Sequence, residues 1–253
     1  MLSKDVLVSQ PDLPTTRNRL LRALPPAEFQ ILWPQLDHVE VGKGEVLVRE
    51  GEPLEFAYFP EGGLSSNLAT TRDGRQIEVG CFGFEGLVSV ASVLGSDRAP
   101  HEIVVQVGGP WLRIRVGALR EAIQNSPVLR DLLLRYVHIF MLTISRTALS
   151  NGTYSIEERL ARWLLMSHDR LEGDDLPLTH EFLSLMLGVQ RSSVTLAVQA
   201  VEGYGMIRAR RALITMRDRG RLLELAGGSY GVAEAEYERL IGPFRDKAPA
   251  YAP

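Results

Sequence analysis

The stretch Leu176–Ile207, "LPLTHEFLSLMLGVQRSSVTLAVQAVEGYGMI", decides how the chain is read. Two segments with helical apolar spacing meet at Gly188. Thr179 is a natural N-cap for the first, which carries Phe182, Leu183, Leu185 and Met186. Gly188 supplies a tight turn. The second predicted helix runs from about Gln190 to Gly203 and buries Val194, Ala197, Val198 and Val201. Two helices of this length joined around a glycine match the helix-turn-helix pattern. In that motif the first residues of the second helix point into the DNA major groove. Here they are Gln190, Arg191, Ser192 and Thr195, all able to hydrogen-bond. Arg191 suits a guanine edge and Gln190 an adenine. Ser193 can reach a phosphate through its hydroxyl at the helix N-terminus.

The residues downstream extend the motif. Met206–Arg210 and Ala212–Met216 read as a small β-hairpin, a wing, before a helix capped by Asp218. From Gly188 to Arg221 there are seven arginines (191, 208, 210, 211, 217, 219 and 221) against Glu202 and Asp218. The local balance is therefore +5 within a chain whose formal net charge is −3. That is the electrostatic footprint phosphate binding needs. Thr179, Ser193, Gln199, Arg208, Arg210 and Arg211 are the phosphate candidates. A solvated arginine face and an ordinary helix start are the plain alternatives.

Upstream the texture changes twice. Arg17–Leu24 and Ala27–Leu36 read as short helices. From Val39 to Arg115, β-prone runs recur: Val46–Arg49, Phe56–Phe59, Leu64–Thr70, Gln76–Cys81, Ile103–Val107 and Trp111–Arg115. They alternate with turn signals such as Gly51-Glu-Pro53 and Asp73-Gly74. Strands at about ten-residue spacing with such turns argue an antiparallel sandwich or jelly roll. From Pro127 to Asn151 the period is helical. Leu134, Val137, Met141, Ile144 and Ala148 form one heptad seam; Leu129, Leu133, Tyr136, Phe140 and Thr143 form a second stripe. Two apolar stripes need two covers, read as the chain's own barrel and the same helix of a second subunit. A core helix buried in a monomer is the alternative. Ser150-Asn-Gly-Thr153 is expected to stop this helix. Ser155-Ile-Glu-Glu158 is a capping box that starts the next, to about Arg170. The expected organisation is α+β: a barrel domain with N-terminal helices at 1–126, a dimerisation helix at 127–151 and a hinge at 152–154. A winged helix-turn-helix follows at 155–226, then a C-terminal helix and tail at 227–253.

Composition narrows the classes. The chain has 253 residues, 45% apolar and 23% charged, as expected of a soluble globular protein. The single cysteine, Cys81, rules out an intramolecular disulfide and any four-cysteine zinc or iron–sulfur site from this chain alone. No signal sequence or long apolar run is evident, so a cytoplasmic location is expected. No Walker loop, Gly-x-Ser-x-Gly elbow, His-Glu-x-x-His motif or kinase signature occurs, and an enzyme is not expected.

The order of barrel, long helix, hinge and winged helix resembles the Crp/Fnr family of bacterial transcription regulators. The residues carrying the likeness are Gly51-Glu-Pro53, Tyr58-Phe59, Gly63 and Asp73-Gly74-Arg75 in the barrel. Further on they are 155–165, Leu178-Thr-His-Glu-Phe-Leu183, Leu187-Gly-Val-Gln-Arg-Ser-Ser-Val194 and Gly205-Met-Ile207. The resemblance implies a cyclic nucleotide-binding-like jelly roll and a homodimer on a two-fold symmetric double-stranded operator near a promoter. RNA polymerase is implied as a further partner. The family's base-reading positions fall on Gln190, Arg191, Ser192 and Leu196. Ser192 and Leu196 stand where cyclic-AMP-responsive members carry glutamate and arginine. The wing turn, Arg210-Arg-Ala212, lacks the usual glycine.

The same resemblance places a candidate effector pocket at Glu85, Arg98, Phe140 and Ser145. Glu85 and Arg98 have the charges that bind ribose and cyclic phosphate in nucleotide-binding members, but Ala99-Pro100 replaces the hydroxyl residue. Phe140 replaces an arginine, and Ser145 falls at an adenine-contacting position. A haem ligand set is not reproduced, because residue 83 is glycine and no histidine adjoins it. The sequence therefore leaves the effector unnamed: a cyclic nucleotide, a small metabolite, or none. A sensory module whose helical part meets a protein rather than DNA is the alternative function.

Overall fold

A computed structural model describes residues 15–245; residues 1–14 and 246–253, with most of the polar start and the end of the Pro/Ala tail, lie outside the described residues. Helices α1 (Arg19–Arg22) and α2 (Pro26–Leu32) lead into seven strands. These are β1 (Asp37–Val41), β2 (Val46–Val48), β3 (Phe56–Pro60), β4 (Leu64–Thr70), β5 (Gln76–Phe82), β6 (Glu102–Val107) and β7 (Gly109–Arg115). They pair antiparallel in two sheets, ordered β1-β7-β3 and β2-β6-β4-β5. Phe59, Val105, Leu112 and Ile114 are all but fully buried between them. Full burial of such a side chain stabilises by about 1.5–3 kcal/mol, so alternation along these strands settles which sheet face turns inward.

Two helices follow, α3 (Val116–Asn125) and the long α4 (Pro127–Thr153). The Ser126 hydroxyl accepts from the Leu129 N–H at 3.0 Å, and Pro127 sits in the first turn, where a missing N–H costs no hydrogen bond. Leu129, Leu133, Tyr136, Phe140 and Thr143 are buried, as the second stripe predicts. The first stripe divides. Leu134 and Met141 are 44% and 60% exposed and Ala148 is exposed, whereas Val137 is buried against the barrel and Ile144 half-buried. Helix α4 also runs past the expected stop at Asn151, through Gly152 to Thr153. Its last turns stay helical while the Thr153 hydroxyl donates to the Leu149 carbonyl at 2.7 Å. Only Tyr154 and Ser155 separate it from α5 (Ile156–Arg170), less than the 152–154 hinge expected from sequence. Helix α5 opens on the predicted capping box: the Glu158 carboxylate accepts from the Ser155 N–H at 2.7 Å, and Ser155 Oγ accepts from the Glu158 N–H at 3.3 Å.

The C-terminal part comprises β8 (Asp175–Leu176), α6 (His180–Leu187), α7 (Arg191–Gly203), β9 (Ile207–Arg210), β10 (Leu213–Met216), α8 (Arg219–Ala226) and α9 (Val232–Leu240). The wing is three-stranded, ordered β8-β10-β9. Strand β8 carries no local sequence signal. The strand is only two residues long, and its pairing partner lies 38 positions on, Leu176 opposite Ile214. Leu160, Leu164, Leu183, Val194, Val201 and Leu222 form the core of this part, and Leu64 and Cys81 of the barrel strands join it. Helix α9 does the reverse: its Tyr237 lies in the barrel's core.

Candidate nucleic-acid interface

The local sequence builds the helix pair as expected. The Thr179 hydroxyl accepts from the Phe182 N–H at 3.1 Å and starts α6. Gly188 ends it at φ 60°, a conformation costly to any residue with a Cβ, and its N–H reaches Leu185 O at 3.3 Å. A side chain there would also press on Ile77 of β5. Val194, Ala197, Val198 and Val201, at most 1% exposed, seat α7. Its opposite face is open: Gln190, Arg191, Ser192 and Gln199 are exposed, and Leu196 is 67% exposed.

The wing is fixed to this helix by Glu202, whose carboxylate accepts the Ala209 N–H at 2.8 Å. A groove opens between the start of α6, the exposed face of α7 and the wing turn. Thr179, Arg191, Thr195, Gln199, Arg210 and Arg211 all line it. Gln190, Ser192 and Arg208 are exposed outside that groove, and Ser193 is half-buried. Thr195 is half-buried and already engaged: its hydroxyl donates to Arg191 O at 3.0 Å and meets His180 Nδ1 at 3.1 Å. His180 and Glu181 line the same groove, although sequence reasoning does not single them out. Their position just after the N-cap Thr179 was the available signal, since both helix starts face one way.

One part of the arginine footprint is corrected. Arg219 turns inward, donating to Asp169 Oδ1 at 2.8 Å and to the Tyr230 hydroxyl at 3.0 Å. Asp169 is buried and needs the partner, so this arginine serves the fold. Arg221 is exposed but donates to Tyr204 O at 2.6 Å. Arg191, Arg208, Arg210, Arg211 and Arg217 remain exposed.

The candidate effector residues are dispersed. Glu85 is 3% exposed and its Oε1 accepts from Arg170 Nε of α5 at 2.7 Å. Arg98 is exposed and donates to Gly51 O at 2.8 Å. Neighbours in extended backbone face opposite ways, and here Ala99, 3% exposed, takes the inward side. Ser145 is exposed and donates back to Met141 O at 2.9 Å. Phe140, stacked on Phe82 with centroids 4.7 Å apart, faces a cavity that the other three do not line, and shares a second, much smaller one with Glu85 and Arg170. The first is the roomier. That cavity, about 180 Å³ between barrel and α4, is lined by apolar side chains with Asn67, Ser89 and His101, and by no acid, lysine or arginine. The buried Ser89 hydroxyl on its wall has no partner, and Ser89 itself holds φ 71°. Among the described residues no cluster of three or more His, Cys, Asp or Glu side chains could hold a metal ion. Cys81 is buried, which pushes its thiol well above the usual range.

Residues 158–225 match the family described as the Crp-like helix-turn-helix domain. The fold is similar to that of CLP, the c-di-GMP-responsive global regulator of Xanthomonas campestris: TM-score 0.63, 16% identity, 76% of this chain and 99% of that one covered. FixK2 of Bradyrhizobium japonicum gives a TM-score of 0.66 at 18% identity over 76% and 98%. A Crp-family regulator of Thermus thermophilus gives 0.62 at 18% over 75% and 97%. No curated protein matches the sequence. A helix-turn-helix with its wing, an exposed groove carrying three arginines and an antiparallel barrel thus meet in one chain: residues 158–225 match the Crp-like helix-turn-helix domain, and the fold is similar to that of solved Crp/Fnr-family transcriptional regulators.

Proposed function

We propose that the chain works as a homodimer that binds a two-fold symmetric operator, with the start of α7 in the major groove. The observation that carries this is the open groove shared by Arg191, Gln199, Arg210, Arg211 and the capped start of α6. Arg191 and Gln190 read base edges, and Ser192 adds a short-range contact. Thr195, bound to His180, orients the start of the helix instead of reaching a base unaided. Leu196 suits the apolar methyl of thymine. Thr179, Ser193, Gln199 and the wing arginines position the backbone. Leu134, Met141, Ala148 and Leu149 form an exposed apolar line on α4 that a second copy would cover. The cytoplasm and RNA polymerase are the setting and further partner this reading entails.

The effector reading changes with the geometry. Phosphates of a cyclic mononucleotide or dinucleotide would meet a wall without lysine or arginine. The cavity is somewhat larger than one of roughly 150 Å³ that holds benzene, so a small neutral, mostly apolar molecule with one polar group fits it better. The test of DNA reading is a mobility shift on a duplex selected by the wild-type protein from a randomised pool. Binding should fall steeply with salt, and Arg191→Ala should cost about 1–3 kcal/mol and relax preference at one base position. Undiminished specific binding by Arg191→Ala would refute the base-reading assignment, and no binding at any salt would favour a protein partner.

A further inference from the structure

Beyond residues 158–225 the chain doubles back. The turn Gly227–Ser229 and then Gly231, at φ 102°, redirect it away from the helix-turn-helix core. Helix α9 packs along α4, and Tyr237 and Phe244, 1% and 4% exposed, enter the core that α1, α4 and the barrel share. The Tyr237 hydroxyl donates to Glu85 O at 2.9 Å, and its ring meets Phe244 edge-on at 5.1 Å. The Arg170 guanidinium, which closes α5 and pairs with Glu85, lies over the Phe244 ring at 5.5 Å. Arg245 reaches Asp169 at 3.3 Å. On α4, Arg135 donates to Leu240 O at 3.3 Å and His138 pairs with Glu236 at 3.3 Å.

The helix-turn-helix part is therefore anchored at both ends. At its start Tyr154 and Ser155 link it to α4; at its finish α9 returns to the same helix. Leu64 and Cys81 already seat this part against the barrel, and a second tether on α4 further restricts its swing about the Tyr154–Ser155 link. We propose that residues 231–245 are a clasp that fixes the helix-turn-helix part against the barrel and presents its reading face in one orientation. Gln190, Arg191, Ser192 and Arg211 stay exposed in this arrangement, so the clasp preorganises the face without masking it. The ordering cost is then met on folding and not on DNA binding. The affinity consequence rests on the DNA reading proposed above; the anchoring does not.

Hydrogen exchange of the full chain separates the two. Phe244→Ala should speed exchange in residues 232–240 and 156–170 while leaving the buried face of α7 at wild-type rates. Affinity for the duplex selected by the wild-type protein should fall about tenfold, with the salt slope unchanged, because fewer molecules hold the competent orientation. Tyr237→Phe keeps the ring and deletes the bond to Glu85 O; it should shift both readouts the same way, about threefold, and decides the matter if Phe244→Ala does not fold. Exchange in 156–170 left at wild-type rates after α9 loosens overturns the clasp, and a rise in affinity overturns preorganisation. Should the wild-type chain bind no duplex, the DNA reading fails while the exchange data still judge the anchoring.

Discussion

Polar side chains gather in two places that look alike in composition and differ in accounting. Along the groove of α7 and the wing, Arg191, Arg210 and Arg211 are exposed to water. Along the seam of α5, toward the barrel and toward α8, the carboxylates are buried and matched: Glu85 with Arg170, Asp169 with Arg219, Tyr230 and Arg245, and Glu78 with Ser66 and Trp163. A solvated cation costs little to hold ready and is free to meet a phosphate. A buried one is already engaged, since leaving its partner unpaired would cost several kcal/mol. An arginine therefore counts toward a binding surface only after its burial and partners are known, and substitutions on either side of that division can test it.

The largest effect is expected at Glu78. Its carboxylate is buried between β4, β5, α5 and α6, accepting from Ser66 Oγ at 2.5 Å and Trp163 Nε1 at 2.9 Å, with Met186 beside Ser66 and the charges of Arg170 and Arg162 acting on it from α5. Burial pushes its pKa up from 4.5 to about 7, against the lowering effect of both hydrogen bonds. The folded chain thus holds this proton more tightly than the unfolded chain. The stabilisation it brings is full below pH 4.5 and is lost as pH rises through about 7. Glu78→Gln removes the titration and keeps a group of the same shape. Urea unfolding of the two proteins at pH 5 and pH 8 should show the variant gaining on wild type by up to about 3 kcal/mol between them. A difference that stays constant with pH would place the titrating proton elsewhere.

Next in size is a contrast between two arginines that sequence counts alike. Arg219→Ala removes a charged donor from buried Asp169 and should destabilise the fold by about 2 kcal/mol, leaving the salt dependence of DNA binding unchanged. Arg211→Ala should do the opposite. Its stability should stay within about 0.5 kcal/mol of wild type, and the slope of log affinity against log salt should become shallower by about 1. Equal salt slopes for the two variants would erase the distinction between groove and seam.

The helix-turn-helix was legible because its signals are local. Thr179, Gly188 and the spacing of Val194, Ala197, Val198 and Val201 act within one or two turns, and the structure places each where that spacing requires. The capping box at Ser155–Glu158 was legible for the same reason. Partners far apart in sequence were not. Glu85 faces Arg170, 85 positions away, and not Arg98. Arg219 reaches back 50 positions to Asp169. Strand β8 exists only because β10 pairs with it. Val137 shows the same limit within one helix: heptad spacing marks it apolar, and only the barrel's position decides which surface claims it.

The smallest expected effect lies in the wing turn, between Arg210 and its pairing partner Leu213. Ala212 holds φ 57° there, the left-handed region in which an alanine Cβ crowds the backbone. Ala212 thus holds, with strain, a conformation that a glycine would adopt freely. Relief of that strain is worth about 1–2 kcal/mol, and glycine gives back about 0.4–1 kcal/mol through a freer unfolded chain. Ala212→Gly should then stabilise the protein by roughly 0.5–1 kcal/mol in chemical unfolding. Arg210 and Arg211 would stay exposed at the groove, so DNA affinity should hold within about twofold. A stabilised wing with lost affinity would mean that the strained turn aims those two arginines. The open side of the groove would then be fixed by backbone geometry, much as the buried seam is fixed by its paired charges.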